Sequence, residues 1–246
     1  MPLSSTLDRL HAQAKQNLWL WLFSIFNRIA LAAGFFPAGI VKIMDERFAS
    51  GLHENHPMGH YLVALHVTGF YYTFIGILQV VAAILLLIPR TVTLGAFLYF
   101  PIIVNIWILT LATRFEGSLF TSPLMTFANL YLLCWHYDKW KYILPFNRLP
   151  IAYESEEKKK RSKKFPFLFF AGVFATVVFF MVVFPNLYSL KPRNTIEDCL
   201  PQFEGTNRTK AGSDFCNCIH TDGEPLNRCL DQYFKAPDDA PTKKIN

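Results

Sequence analysis

The sequence predicts an all-α membrane protein: a bundle of transmembrane helices, one further span, and a small disulfide-bonded tail outside the cytoplasm. Three observations predict it. Residues 69–111 read GFYYTFIGILQVVAAILLLIPRTVTLGAFLYFPIIVNIWILTL, with Arg90 as the one charged side chain. Lysines and arginines gather between residues 139 and 164, and four of the five cysteines fall beyond residue 198. Of the 246 residues, 52% are hydrophobic, 17% are charged and 24 are phenylalanine, giving a mean hydropathy of +0.24. A chain of this composition buries its apolar surface in lipid rather than in a water-soluble core. Its net charge of +6 is concentrated beside hydrophobic runs, where cations orient spans, so no nucleic-acid partner is expected.

Residues 1–17 are polar, and an apolar run from Leu18 to Met44 is broken by Asn27-Arg28. One continuous span over this run would place Arg28 near the bilayer centre, at a cost of about 2.5–3.5 kcal/mol on insertion scales. Arg28 is therefore read as an interfacial anchor. Residues 1–27 become a cytoplasmic N-terminus, in which the tryptophan-bearing stretch Leu18 to Phe26 is an interfacial segment or first-helix extension, and the first span covers about 28–47. No small-residue cleavage site ends the run, so no cleaved signal peptide is expected. Residues 45–67 form a loop holding His53, His56 and His60, followed by His66. Imidazole is the commonest metal ligand, but Pro57 interrupts a helical register and neither cysteine nor HExxH accompanies these histidines. A hydrated loop without metal is the expectation.

The second and third spans cover about 68–88 and 91–111. Each has the roughly 20 apolar residues needed to cross about 30 Å of hydrocarbon, and backbone in lipid must pair within its own segment, so both are helices. Pro89 ends the first arm and Arg90 anchors the turn at the headgroups. Gln79 and Asn105 lie at equivalent depths and are candidate polar handles for a quinone. The structural role of an interhelical hydrogen bond, worth about 0.6 kcal/mol, is the expectation for both. A fourth span covers about 123–139, with Cys134 read as a small buried hydrophobe and WHYDKWKY as an aromatic, basic interfacial belt.

The basic linker 145–164 carries Lys158, Lys159, Lys160, Arg161, Lys163 and Lys164, which anchor it in the cytoplasm and also suit anionic lipid or a partner. A fifth span, 165–190, then places the tail 191–246 outside, and counting back leaves the N-terminus inside. Cys199, Cys216, Cys218 and Cys229 in that tail read as two disulfides on the oxidising side. Cys216 with Cys218 would close a very small strained ring, so Cys199 pairs with one of these two and Cys229 with the other. A redox-active pair, or a zinc site from the CxC and His220, ranks behind structural disulfides.

RIALAAGFFPAGIVKI opens with Arg28 and ends in Gly39-x-x-Lys42, and GFYYTFIGILQVVAAILLLIPRTVTLGAFL follows as a helix, a short basic turn and a helix. On these motifs residues 28 to about 144 resemble the DoxX-like family of small four-helix membrane proteins. The resemblance implies a DoxX-like four-helix transmembrane bundle in a bacterial inner (plasma) membrane. In that family some members are linked to thiosulfate:quinone oxidoreduction and others belong to membrane oxidoreductase complexes. Many members carry a glutamate early in the second helix, whereas this chain has Tyr71, Tyr72 and Gln79 there. The function expected is accordingly an accessory or scaffold subunit of a membrane complex, with lipid and other membrane or extracytoplasmic proteins as partners. The alternative is a quinone-linked thiol or sulfur oxidoreductase subunit, for which a quinone would be the cofactor.

Overall fold

Residues 3–141 and 161–239 are described by the computed structural model, and among them the chain is helical, without strands. Helix α1 (Leu3–Lys15) lies before α2 (Leu18–Ile43), whose first turn is capped by Asn17: the Oδ1 atom accepts from the backbone N–H groups of Trp19 and Leu20 at 2.9 and 3.3 Å. A loop and the short α3 (Pro57–His66) lead to α4 (Phe70–Leu87), a tight turn, and α5 (Val92–Thr113). One-turn α6 (Glu116–Leu119) precedes α7 (Thr121–Trp135), α8 (Tyr137–Trp140) and, after the linker, α9 (Phe167–Val183). Three helices, α2, α4 and α5, are long and apolar enough to cross a membrane, and α9 is a shorter apolar helix.

Helices α2, α4, α5 and α7 form an antiparallel bundle in that order around a ring. Side chains set the register. Arg28 donates to the carbonyls of Leu86 and Leu87 at 2.7 and 2.6 Å, and at the other end of the pair Gly39 meets Gly76. A Cβ on Gly39 would sit 2.7 Å from the Gly76 carbonyl oxygen, so the two backbones touch here because neither residue has a side chain. Asn129 on α7 donates to the Ala96 carbonyl of α5 at 3.0 Å, and the Tyr131 hydroxyl closes the ring by donating to the Leu20 carbonyl of α2 at 2.8 Å. Between them Leu31, Phe35, Leu86, Ala96, Ile103 and Leu132 form the core, with the Phe35 and Tyr99 rings stacked at 3.5 Å. Helix α9 leans on the outside through Phe169 and Phe170 against Phe23, and Phe180 against Trp107 and Phe127.

Several elements depart from the sequence expectation. The first helix does not break at Asn27-Arg28 but runs unbroken from Leu18 to Ile43. Arg28 reaches the end of α4 without leaving the helix, so its charge is met by the carbonyls that a helix C-terminus leaves unpaired. The loop 45–67 contains α3, where Pro57 occupies the first turn and His56 the N-cap, the positions at which proline and a side-chain acceptor are tolerated best. The fourth helix of the bundle, α7, stops at Trp135, short of the span expected over 123–139. Cys134 is exposed on the outside of the bundle rather than buried. Lys158, Lys159 and Lys160, with most of the linker, lie outside the described residues.

The tail is a separate helical unit of α10 (Ile196–Cys199), a 3₁₀ turn (Leu200–Phe203), α11 (Thr209–His220) and α12 (Leu226–Lys235). Disulfides join Cys199 to Cys216 and Cys218 to Cys229, which resolves the pairing left open by the spacing. All four cysteines sit in one core with Leu190, Phe203, Phe215, Ile219, Leu226 and Leu230.

Candidate functional site

The polar groups within the bundle do not assemble into one site. Gln79 on α4 is buried at 2% exposure, and its Oε1 has no hydrogen-bond partner among the described residues. Asn105 is exposed on the outer face of α5. The two candidate quinone handles therefore point to different surroundings. Lys42 is a functional candidate on other grounds. It is 6% exposed, its Nζ donates to the Ala38 carbonyl one turn back at 3.0 Å, and the ammonium lies 4.3 Å from the centroid of the Phe48 ring. A buried ammonium without a carboxylate is stabilised here by a carbonyl and an aromatic face. Tyr72 completes this corner by donating to the Glu46 carbonyl and accepting from the Phe48 N–H, at 2.8 and 2.9 Å.

The more connected arrangement is where the tail docks on the same end of the bundle. Glu116 receives two hydrogen bonds from Arg193, at 2.8 and 2.9 Å, and a salt bridge from Lys191 at 3.0 Å. Burial alone would raise the Glu116 carboxyl, but the bonds from Lys191 and Arg193 outweigh it and hold the carboxyl below its ordinary range. Arg114 donates to the Leu190 carbonyl at 2.8 Å and stacks over Tyr188. On the other side Asn55 donates to the His220 carbonyl at 2.8 Å, and the His53 N–H to the Asn194 carbonyl at 3.2 Å.

Between these two sets of bonds lie three imidazoles. The His53 and His220 rings are 5.4 Å apart, and those of His56 and His220 are 6.3 Å apart. His56 accepts from the Met58 N–H at 2.9 Å through Nδ1, and His220 holds the Pro192 carbonyl at 2.7 Å through Nε2. Burial, the neighbouring His220 and His53, and only partial compensation from Glu116 push His56 down to about 4. Burial also lowers His220. His60 is not part of this set; its ring lies against Gly223. Among the described residues no group of three or more histidines, cysteines or carboxylates is arranged to hold a metal ion. His53 and His220 are 167 positions apart in the chain, so no local pattern could have paired them.

Over 139 residues the chain is 32% identical to the uncharacterized protein YwoB of Bacillus subtilis (strain 168), an alignment covering 54% of this chain and 87% of that protein. The chain belongs to the same family as YwoB. No family model matches the chain, and no solved structure does. Most of YwoB is thus accounted for by about half of this chain, and the name of that relative brings no activity with it.

Proposed function

We propose that the chain is a DoxX-like integral membrane scaffold or accessory subunit, which presents its stapled tail on the outer side of a bacterial inner membrane and binds a partner protein through it. The observation that carries the reading is the burial of every tail cysteine. Cys199, Cys216 and Cys229 are 0% exposed and Cys218 is 4% exposed, all paired and all inside the tail's own core. Thiol–disulfide exchange requires a thiolate to reach a sulfur atom, so sulfurs held this way staple a small domain rather than pass electrons. The separation of Gln79 from Asn105 points the same way, because a quinone head needs convergent polar groups.

The topology proposed is five spans, α2, α4, α5, α7 and α9, with the N-terminus inside. Charge supports it. Arg9, Lys15, Arg28, Arg90, Lys139, Lys141, Arg161, Lys163 and Lys164 lie at one end of the bundle with only Asp8 and Asp138 as described acids, and the disulfides lie at the other. Helices α7 and α9 have 15 and 17 residues, or roughly 23–26 Å at 1.5 Å per residue, which local thinning and flanking aromatics accommodate. Alkylation trapping in intact cells tests the functional choice. All four cysteines should be oxidised and remain so when quinone is depleted. A reduced fraction that grows on quinone depletion would instead support a quinone-linked thiol oxidoreductase.

A further inference from the structure

One group of cations differs from the others in its surroundings. In the outer module Lys191 and Arg193 close on Glu116, Arg208 on Asp238 and Arg228 on Glu224. At the inner end Lys15 closes on Asp138 and Lys141 on Asp8, whereas Arg161, Lys163 and Lys164 are exposed and form no ion pair among the described residues. Their backbone is nevertheless firmly placed. The Ser162 N–H donates to the Gln16 carbonyl at 2.7 Å and the Leu18 N–H to the Ser162 carbonyl at 3.0 Å. Asn17 Nδ2 donates to the Lys164 carbonyl at 2.7 Å, and Trp19 Nε1 to the Lys163 carbonyl at 3.2 Å. This clasp fixes the segment across the start of α2.

The Arg161 guanidinium lies 4.3 Å from the centroid of the Trp21 ring, a stacking that leaves its in-plane N–H groups available to an oxyanion. Three cations on four consecutive residues raise the local positive potential, which an anion shared among them relieves. Directly after them the chain turns apolar and bare: Phe165, Phe167 and Leu168 are 50%, 77% and 88% exposed. Cations carried on a fixed backbone beside uncovered apolar side chains complement a molecule with an anionic head and hydrocarbon chains. Inorganic phosphate would use the first half of that surface and leave the second uncovered.

We propose that the clasped segment is a seat for an anionic phospholipid, with the phosphate on Arg161, Lys163 and Lys164 and the acyl chains along Phe167 and Leu168. The inference rests on reading this end of the bundle as the cytoplasmic edge of a membrane. Trp19 and Trp21 flank the seat and make it observable. The full chain is placed in phosphatidylcholine bilayers containing a minor fraction of lipid with brominated chains, either phosphatidylglycerol or phosphatidylcholine, and tryptophan quenching is compared. Brominated phosphatidylglycerol should quench more strongly at equal mole fraction, and high salt should remove the excess. At about fivefold in affinity per cation, the triple variant R161Q/K163Q/K164Q should bind on the order of 100-fold more weakly and lose it. Equal quenching by the two lipids in the wild type, or an undiminished excess in the variant, overturns the proposal. So does inorganic phosphate that abolishes the excess where chloride of equal ionic strength does not, since free phosphate is then the ligand. If the variant does not fold, the wild-type comparison of the two lipids decides alone. Quenching by neither lipid would instead count against the membrane reading itself.

Discussion

Arg28 shows how one side chain changes the reading of a whole helix. Its two bonds to the Leu86 and Leu87 carbonyls satisfy the C-terminus of α4, where cations are favoured by the helix dipole. Arg28→Ala should lower the thermal stability of the detergent-solubilised protein by about 1.5–3 kcal/mol, the usual range for bonds to a charged group. Arg28→Lys should recover part of this only, because one ammonium cannot reproduce the planar fork. The glycine contact is stricter. Gly39→Leu would drive a side chain into the Gly76 carbonyl and Val80, so overpacking of at least about 1–3 kcal/mol is expected, read as loss of a monodisperse species on heating. Neither role could be seen in the sequence, where Arg28 reads as an interfacial anchor that interrupts an apolar run and Gly39 as part of a Gly-x-x-Lys motif, with no partner indicated for either. What decides both is the partner helix, 37 to 59 positions further on.

At the level of elements, the α4–α5 hairpin was legible because forty-odd apolar residues with a Pro-Arg turn have few alternatives in lipid. The two-disulfide tail was legible as well, and only its pairing needed the fold. The docking of that tail was not legible, since it depends on His53, His56 and Asn55 meeting residues beyond 190. A pH dependence follows from it. His56 is held neutral in the docked state, at about 4 against an ordinary 6.5, so folding releases a proton. The contribution of this group is full above pH 6.5 and is lost as pH falls from there toward 4, by up to about 1.4 kcal/mol per pH unit. Protonation also removes the acceptor for the Met58 N–H and sets a cation beside His220 and His53, with Glu116 already engaged by Lys191 and Arg193. Amide exchange at residues 53–60 and 218–224, corrected for its intrinsic pH dependence, should rise as pH falls through this window. His56→Asn keeps a capping oxygen that does not titrate and should flatten the response. An equal rise in the variant would assign the acid sensitivity elsewhere.

For the molecule as a whole, we propose a helical bundle in lipid that holds a stapled module against its outer end. The module is small, and its core depends on its cross-links. Loops of 17 and 11 residues should each contribute roughly 3 kcal/mol in the chain-entropy description. Cys199→Ser or Cys229→Ser should therefore leave the tail sensitive to added protease while the bundle remains protected, and a tail that stays resistant would mean its packing suffices without the bonds. The measurement that bears most directly on the account is the side of the membrane on which each end lies. Alkaline phosphatase, active only where its own disulfides form, is fused after Lys160 in one chain and after Lys235 in another. The account predicts an inactive enzyme after Lys160 and an active one after Lys235. Activity after Lys160 would invert the bundle and place the stapled module in the reducing cytoplasm, contradicting the account.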